Sequence, residues 1–213
     1  MTDTIEKTEK QQHKENHFEL LCGLLLAFFA AILAIVDLGS GKYGDDQIIA
    51  NNEKANAYQW YQSKTVKQTL VENQRDLINL LLNSSMINEK KTDSLDKYQK
   101  GLSKDIKRYG KEKKEIMEGS AKVGKENWVQ DKDGEMGKII GAKEWENKSN
   151  VLDDAGDYFD LSTLFLQIGL VLGAIALVLK MPGLKKVFLF AMIILGIIGI
   201  YYGYTAYMIA VTV

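Results

Sequence analysis

Three stretches of the chain, residues 20–36, 161–179 and 187–213, carry no charged side chain, and the segment between the first two is strongly polar. A helix needs about 20 apolar residues to cross ~30 Å of hydrocarbon. The second and third runs meet that length. The first is shorter, but Glu19 and Asp37 flank it, where carboxylates reach the headgroups. The pattern predicts transmembrane helices over 18–38, 161–180 and 187–211. A cleaved signal peptide competes for the first run, since the tail 1–17 is polar and partly basic. No small-x-small cleavage site follows it, and "AILAIVDLGSG" reads as a retained span that ends at glycines.

Basic residues near span ends set orientation. The tail carries Lys7, Lys10 and Lys14, and the turn 181–186, which follows Lys180, carries Lys185 and Lys186. The edges of the long segment 39–160 hold little beyond Lys42 on one side and "DDAGDYFD" on the other. This places tail and turn in the cytoplasm of a multi-pass inner-membrane protein, with residues 39–160 periplasmic or extracellular. The opposite orientation differs by only a few lysines.

The segment 39–160 contains no proline; Pro182 in the turn is the only one in the chain. The single cysteine, Cys22, lies in the first span, so no intrachain disulfide can hold the polar domain. Gly39, Gly41 and Gly44 are expected to break the chain after the first span. Helices are expected over about 46–82, 87–118 and 138–160, with "NSS" at 83–85 as a turn. Ala55, Tyr58, Gln62, Val66, Thr69, Asn73, Leu77 and Leu80 recur at three- and four-residue steps and form the first candidate packing stripe. Leu95, Tyr98, Leu102, Ile106, Tyr109 and Ile116 form the second, near heptad spacing. The expected fold class is all-α: three transmembrane helices and an extramembrane antiparallel coiled-coil-like hairpin. Gly119, Gly124, Gly134 and Gly137 mark an irregular stretch, and no strand-like alternation is visible.

The segment "KANAYQWYQSKTVKQTL" sets Tyr58, Trp60 and Tyr61 among polar residues. Tyr58 and Tyr61 share a helix face and Trp60 points elsewhere. Trp60 therefore covers Trp145 or Trp128, or meets a neighbouring subunit. This segment, with Trp60, Tyr61, Gln62 and Lys64, and "YFDLSTLFLQIGLVLGAIALVLK" at 158–180 resemble an uncharacterised bacterial membrane family, domain of unknown function 4337. The resemblance implies an N-terminal anchor, a helical middle, paired C-terminal spans and a bacterial origin. It implies no activity.

The spans repeat small residues at helical steps: Gly23, Ala27, Ala30 and Ala34; Gly169, Gly173 and Ala176; Gly196, Gly199, Gly203, Ala206 and Ala210. Lipid gives helices no hydrophobic reason to associate, so packing relies on close backbone approach at such residues. Spans two and three can use their stripes on each other. The stripe left over predicts a homo-oligomer. No ionisable residue lies deep in a span, which argues against an ion-coupled transporter. Tyr201, Tyr202, Tyr204 and Tyr207 read as an interfacial belt.

No catalytic or metal motif survives inspection. "GSGKYG" at 39–44 has Val36 and Tyr43 where a phosphate loop needs Gly and Ser or Thr. "HKENH" puts His13 and His17 on one face but lacks a third ligand. "DKDGE" at 131–135 lacks the full calcium-loop pattern. Asp153, Asp154, Asp157 and Asp160 read as a solvated face. The run Lys100, Lys104, Lys107, Arg108, Lys111, Lys113 and Lys114 is interleaved with Asp105, Glu112 and Glu115 and reads as a solvated flank. The net charge of −1 gives no pull toward nucleic acid. An enzyme is not expected, nor any cofactor. The expected role is a self-assembling membrane scaffold in the lipid bilayer, with the hairpin open to a protein partner. The alternative is a subunit of a channel, transport or motor complex.

Overall fold

The structure is a computed structural model; it describes residues 2–84 and 89–213, with side chains for residues 17–84 and 93–213. The tail residues Lys7, Lys10, His13 and Lys14, the turn residue Ser85 and the start of the second hairpin helix at Ile87 fall outside the described side chains. The chain is almost wholly helical. Long helices α1 (Thr2–Asn83) and α2 (Glu89–Glu118) are followed by a one-turn α3 (Ser120–Val123) and a two-stranded ribbon, β1 (Asp131–Lys132) and β2 (Glu135–Met136). Helices α4 (Ala142–Val178) and α5 (Pro182–Ala210) complete it. α1, α4 and α5 are the helices long and apolar enough to cross a membrane, as the uncharged runs predict. Two compact units are present: Met1–Gln47 with Asn150–Val213, and Ile48–Ser149.

The first unit is a three-helix arrangement. Asp37 accepts a hydrogen bond from Thr163 at 3.1 Å, and Gln47 donates to Asp153 at 2.6 Å, so α4 runs antiparallel to α1. Lys185, after the α4–α5 turn, pairs with Glu19 at 3.4 Å. The buried positions follow a seven-residue rhythm. α1 buries Cys22, Phe29, Val36 and Tyr43. α5 buries Leu189, Met192, Gly196, Gly199, Gly203, Ala206 and Ala210. α4 buries Leu152, Ala155, Phe159, Ser162, Leu166, Gly169, Gly173 and Ala176 at alternating steps of three and four. A sustained 3-4 pattern keeps one seam of each helix facing its neighbours.

The expected break at Gly39, Gly41 and Gly44 does not occur, because α1 is helical throughout. Glycine costs a helix interior about 1 kcal/mol relative to alanine, yet Gly39 serves a contact. A Cβ there would lie 3.1 Å from the Phe159 ring, which stacks on Tyr43 with centroids 5.9 Å apart.

In the second unit, Lys64 of α1 pairs with Glu112 of α2 at 2.6 Å, Lys113 lies 5.5 Å from the Tyr61 ring, and Gln99 donates to Asn79. Partners rise along one helix as they fall along the other, so this part of α1 and α2 are antiparallel. The stripe expected on α2 faces inward at Leu102 and Ile116, while Tyr98 is exposed. The stripe expected on α1 is corrected. Ala55, Gln62, Val66, Thr69, Asn73, Leu77 and Leu80 are exposed, and Ala57 and Ile78 are buried instead. α1 is rotated so that Tyr61, Lys64 and Ile78 lie inward, and the more apolar tip residues remain outside.

The glycines of the expected irregular stretch all have positive φ: 87° at Gly119, 79° at Gly124, 82° at Gly134 and 83° at Gly137. The stretch is not strand-free. Asp133 (φ 57°) and Gly134 form a two-residue turn between β1 and β2, the geometry Asp-Gly favours in hairpins. The following helix begins at Ala142 rather than near 138, since Ile139 is tied to Ser120: its carbonyl accepts from the Ser120 N–H at 2.9 Å and its N–H donates to Ser120 Oγ at 3.0 Å.

Candidate functional site

The structure sorts the predicted helix-packing residues into two sets. The stripes of α4 and α5 face inward. A Cβ on Gly196 would collide with the Phe29 ring, and one on Gly199 would lie 2.7 Å from Leu166 Cγ and 3.2 Å from its backbone nitrogen. One on Gly203 would lie 2.8 Å from Ser162 Oγ and 3.0 Å from Val36. Gly173 meets Met192 and Leu26 in the same way. Ser162 Oγ donates to the Gly199 carbonyl at 2.7 Å, which satisfies this buried hydroxyl. The stripe of α1 does the opposite. Gly23, Ala27, Ala30 and Ala34 are all exposed, and nothing lies within 4 Å of a Cβ built on Gly23.

The aromatics gather at the end of the first unit remote from Lys185. Tyr202 stacks on Phe165 at 5.6 Å and lies 6.0 Å from Tyr158, while Tyr207 meets Tyr43 edge-on at 6.2 Å. Tyr201, Tyr204 and Tyr207 are exposed. Gln167 and the four aspartates 153, 154, 157 and 160 are exposed as well.

The residues of the aromatic segment divide by role. Lys64 forms the ion pair with Glu112, and Tyr61 packs beside Lys113. Tyr58 donates to Glu146 at 3.3 Å; withdrawal from water, and then the Glu146 charge, push its phenol above the ordinary value. Trp60 lines a cleft with Trp145, Ala57 and Ile139, so Trp145 is the tryptophan it accompanies. Trp128 is engaged elsewhere and donates its indole N–H to the Ser120 carbonyl at 2.8 Å. Gln62 is exposed.

The segment and both flanking regions fall inside a match to the family model described as Domain of unknown function (DUF4337), which covers residues 18–209. The chain belongs to that family. Neither the curated proteins nor the solved structures give a match. In this DUF4337 chain the resemblance read from Trp60, Tyr61, Gln62 and Lys64 thus extends over both units.

Sequence reasoning missed the best-organised polar centre. Glu115, expected on a solvated flank, is fully buried. Its Oε1 accepts from Ser120 Oγ at 2.7 Å, and its Oε2 accepts from the backbone N–H groups of Val129 and Gln130, each at 2.9 Å. Ser120 Oγ in turn accepts from the Ile139 N–H at 3.0 Å. One carboxylate thereby satisfies two backbone donors, at Val129 and Gln130, that lie just before the β1–β2 ribbon. Close approach of Gly141 to the Gly119 backbone lets the chain ends of this loop meet; a Cβ on Gly141 would strike Glu118 and Gly119. Glu112 is buried too, against Lys64. No cluster of potential metal ligands occurs among the described residues.

Proposed function

We propose that this protein is a membrane-anchored helical scaffold that assembles with copies of itself in the bilayer. The observation that carries the reading is the division of the small-residue stripes. Those of α4 and α5 are occupied by Phe29, Leu166 and Met192 of the same chain, whereas that of α1 is free. In lipid a free small-residue stripe is a surface on which a second helix can come close enough for dispersion and weak Cα–H contacts to hold it. The bundle interior is filled by Phe29, Leu166 and Met192, which supports a packing role over a pore within one chain.

The anchoring places α1, α4 and α5 across an inner membrane, with tail and α4–α5 turn in the cytoplasm and the second unit outside. The Glu19–Lys185 pair supports placing those two segments at one end, and the exposed tyrosines at the other end suit an interfacial belt. The antiparallel pairing of α1 and α2 supports a coiled-coil-like hairpin presented to partners. The test is the mass of the full chain in mild detergent or nanodiscs, by light scattering or native mass spectrometry. A discrete oligomer that Gly23→Leu disperses supports the reading; a monomer at all concentrations overturns it.

A further inference from the structure

The tip of α1 carries a second seam that the hairpin does not use. Ser63, Val66, Leu70, Asn73, Leu77 and Leu80 are spaced by steps of three and four, and every one is exposed. The apolar members are well over half exposed: Val66 60%, Leu70 56%, Leu77 58% and Leu80 68%. They lie on the side of α1 opposite Lys64 and Ile78, which face α2. Single exposed leucines are ordinary on protein surfaces. A run of them in heptad spacing over five turns is the pattern of a coiled-coil seam.

We infer that this seam pairs with the same seam of a second copy, as a parallel two-stranded coiled coil. Three observations favour a second copy over a foreign helix. The first is Asn73, the amide at the centre of the stripe. Asn73 falls at a d position, where it can hydrogen-bond the same amide of a second copy at the same height when two copies run parallel, since like residues face one another across a parallel seam. The second is charge. With the stripe as positions a and d, Lys67 comes opposite Gln62 of the other copy and Asp76 opposite Leu81, so no like charges face one another. The third is direction. Two copies anchored in one membrane carry α1 the same way, which forces the parallel arrangement. That last step rests on the anchoring proposed above; the seam itself does not.

The seam lies wholly in the second unit, so its test separates from that of the Gly23 face. Leu70→Cys and Leu77→Cys are introduced singly into the full chain, with Cys22 left in place because it is buried. Lys107→Cys on the exposed side of α2 is the control. Under mild oxidation in native membranes both seam variants are expected to form a disulfide-linked dimer many-fold faster than the control. The combined variant Leu70→Lys with Leu77→Lys changes only exposed positions. It is expected to keep its helicity and lose the crosslink at an added Val66→Cys. If native mass spectrometry shows an oligomer while the seam cysteines crosslink no faster than the control, the seam is wrong and self-assembly through the Gly23 face stands. If the chain is a monomer, both proposals fail.

Discussion

Lys64 of α1 and Glu112 of α2 form an ion pair of 2.6 Å in which the side chains are only 16% and 8% exposed. Arg108 reaches the other Glu112 oxygen at 3.4 Å from a far more exposed position. Lys64 is thus the partner that neutralises a buried carboxylate across the two helices. Removing one member of such a pair leaves an uncompensated charge and costs about 3–5 kcal/mol, whereas replacing both with apolar residues is often neutral. Arg108 offsets part of this, so Lys64→Met is expected to cost about 2–3 kcal/mol. Lys64→Met with Glu112→Leu is expected to recover most of it. Denaturant titration of the two variants checks this; a double variant no better than the single one would sink the pairing account.

Glu115 anchors the loop between α2 and α4. Glu115→Ala strands the N–H groups of Val129 and Gln130 and the hydroxyl of Ser120. Each unpaired buried donor costs about 1–3 kcal/mol, so a loss of roughly 3 kcal/mol or more is expected where water does not enter. The loss is local. Amide exchange at Val129, Gln130 and Ile139 should accelerate strongly while amides in the middle of α5 stay protected. Unchanged exchange at those three positions would refute the anchoring role.

The helical class, the three apolar helices and the irregular stretch marked by Gly119, Gly124, Gly134 and Gly137 were legible because each follows from local rules: length without charge, absence of proline, glycine clusters. The face of α1 that meets α2 was not. Its outer stripe is more apolar than its inner one, and periodicity alone cannot say which of two stripes a helix buries. The inner stripe is held by Tyr61 and Lys64, polar residues whose partners Lys113 and Glu112 sit on another helix. Glu115 was hidden for a related reason. In sequence it is one more acid in "KEKKEIMEG", and only the return of Val129 and Gln130 across the fold reveals its donors. The two-residue ribbon at 131–136 could have been found, since Asp133-Gly134 is a hairpin turn signal.

Glu118 at the end of α2 and Lys143 at the start of α4 hydrogen-bond directly. That bond holds the Glu118 carboxyl below its ordinary value and the Lys143 ammonium above its own. A depressed carboxyl contributes stability that is present above the ordinary carboxylate value and is lost as pH falls through the lower folded value. A raised ammonium contributes stability present below the ordinary lysine value and lost as pH climbs past it. Both groups are solvent-accessible, so the effect is small and weakened by salt. The thermal midpoint of Glu118→Gln should lie slightly below that of the parent near neutral pH. The gap should close as pH drops below the ordinary value of 4.5. A gap of constant size down to about pH 3 would contradict the assignment.

Gly199 and Gly23 look alike in sequence, each a glycine in a small-residue stripe of an apolar helix, but Gly199 is buried against Leu166 and Gly23 is exposed. At Gly199 a methyl group would press on Leu166, including its backbone nitrogen at 3.2 Å, which cannot rotate away. Overpacking of this kind costs about 1–3 kcal/mol and forces backbones apart. Gly199→Leu should therefore lower the thermal midpoint of the detergent-solubilised chain and release the Ser162 hydroxyl from the Gly199 carbonyl. A Cβ on Gly23 meets nothing within 4 Å, so the midpoint of Gly23→Leu in the monomer should not fall below the parent's. The substitution should instead shift the mass distribution toward monomer, because a bulky residue there keeps a second helix away. The two variants thus separate folding from assembly. Should Gly23→Leu leave the oligomer intact, copies do not meet on that face of α1. Should Gly199→Leu leave the midpoint unchanged, the inward packing of α4 against α5 is looser than the Leu166 contact requires.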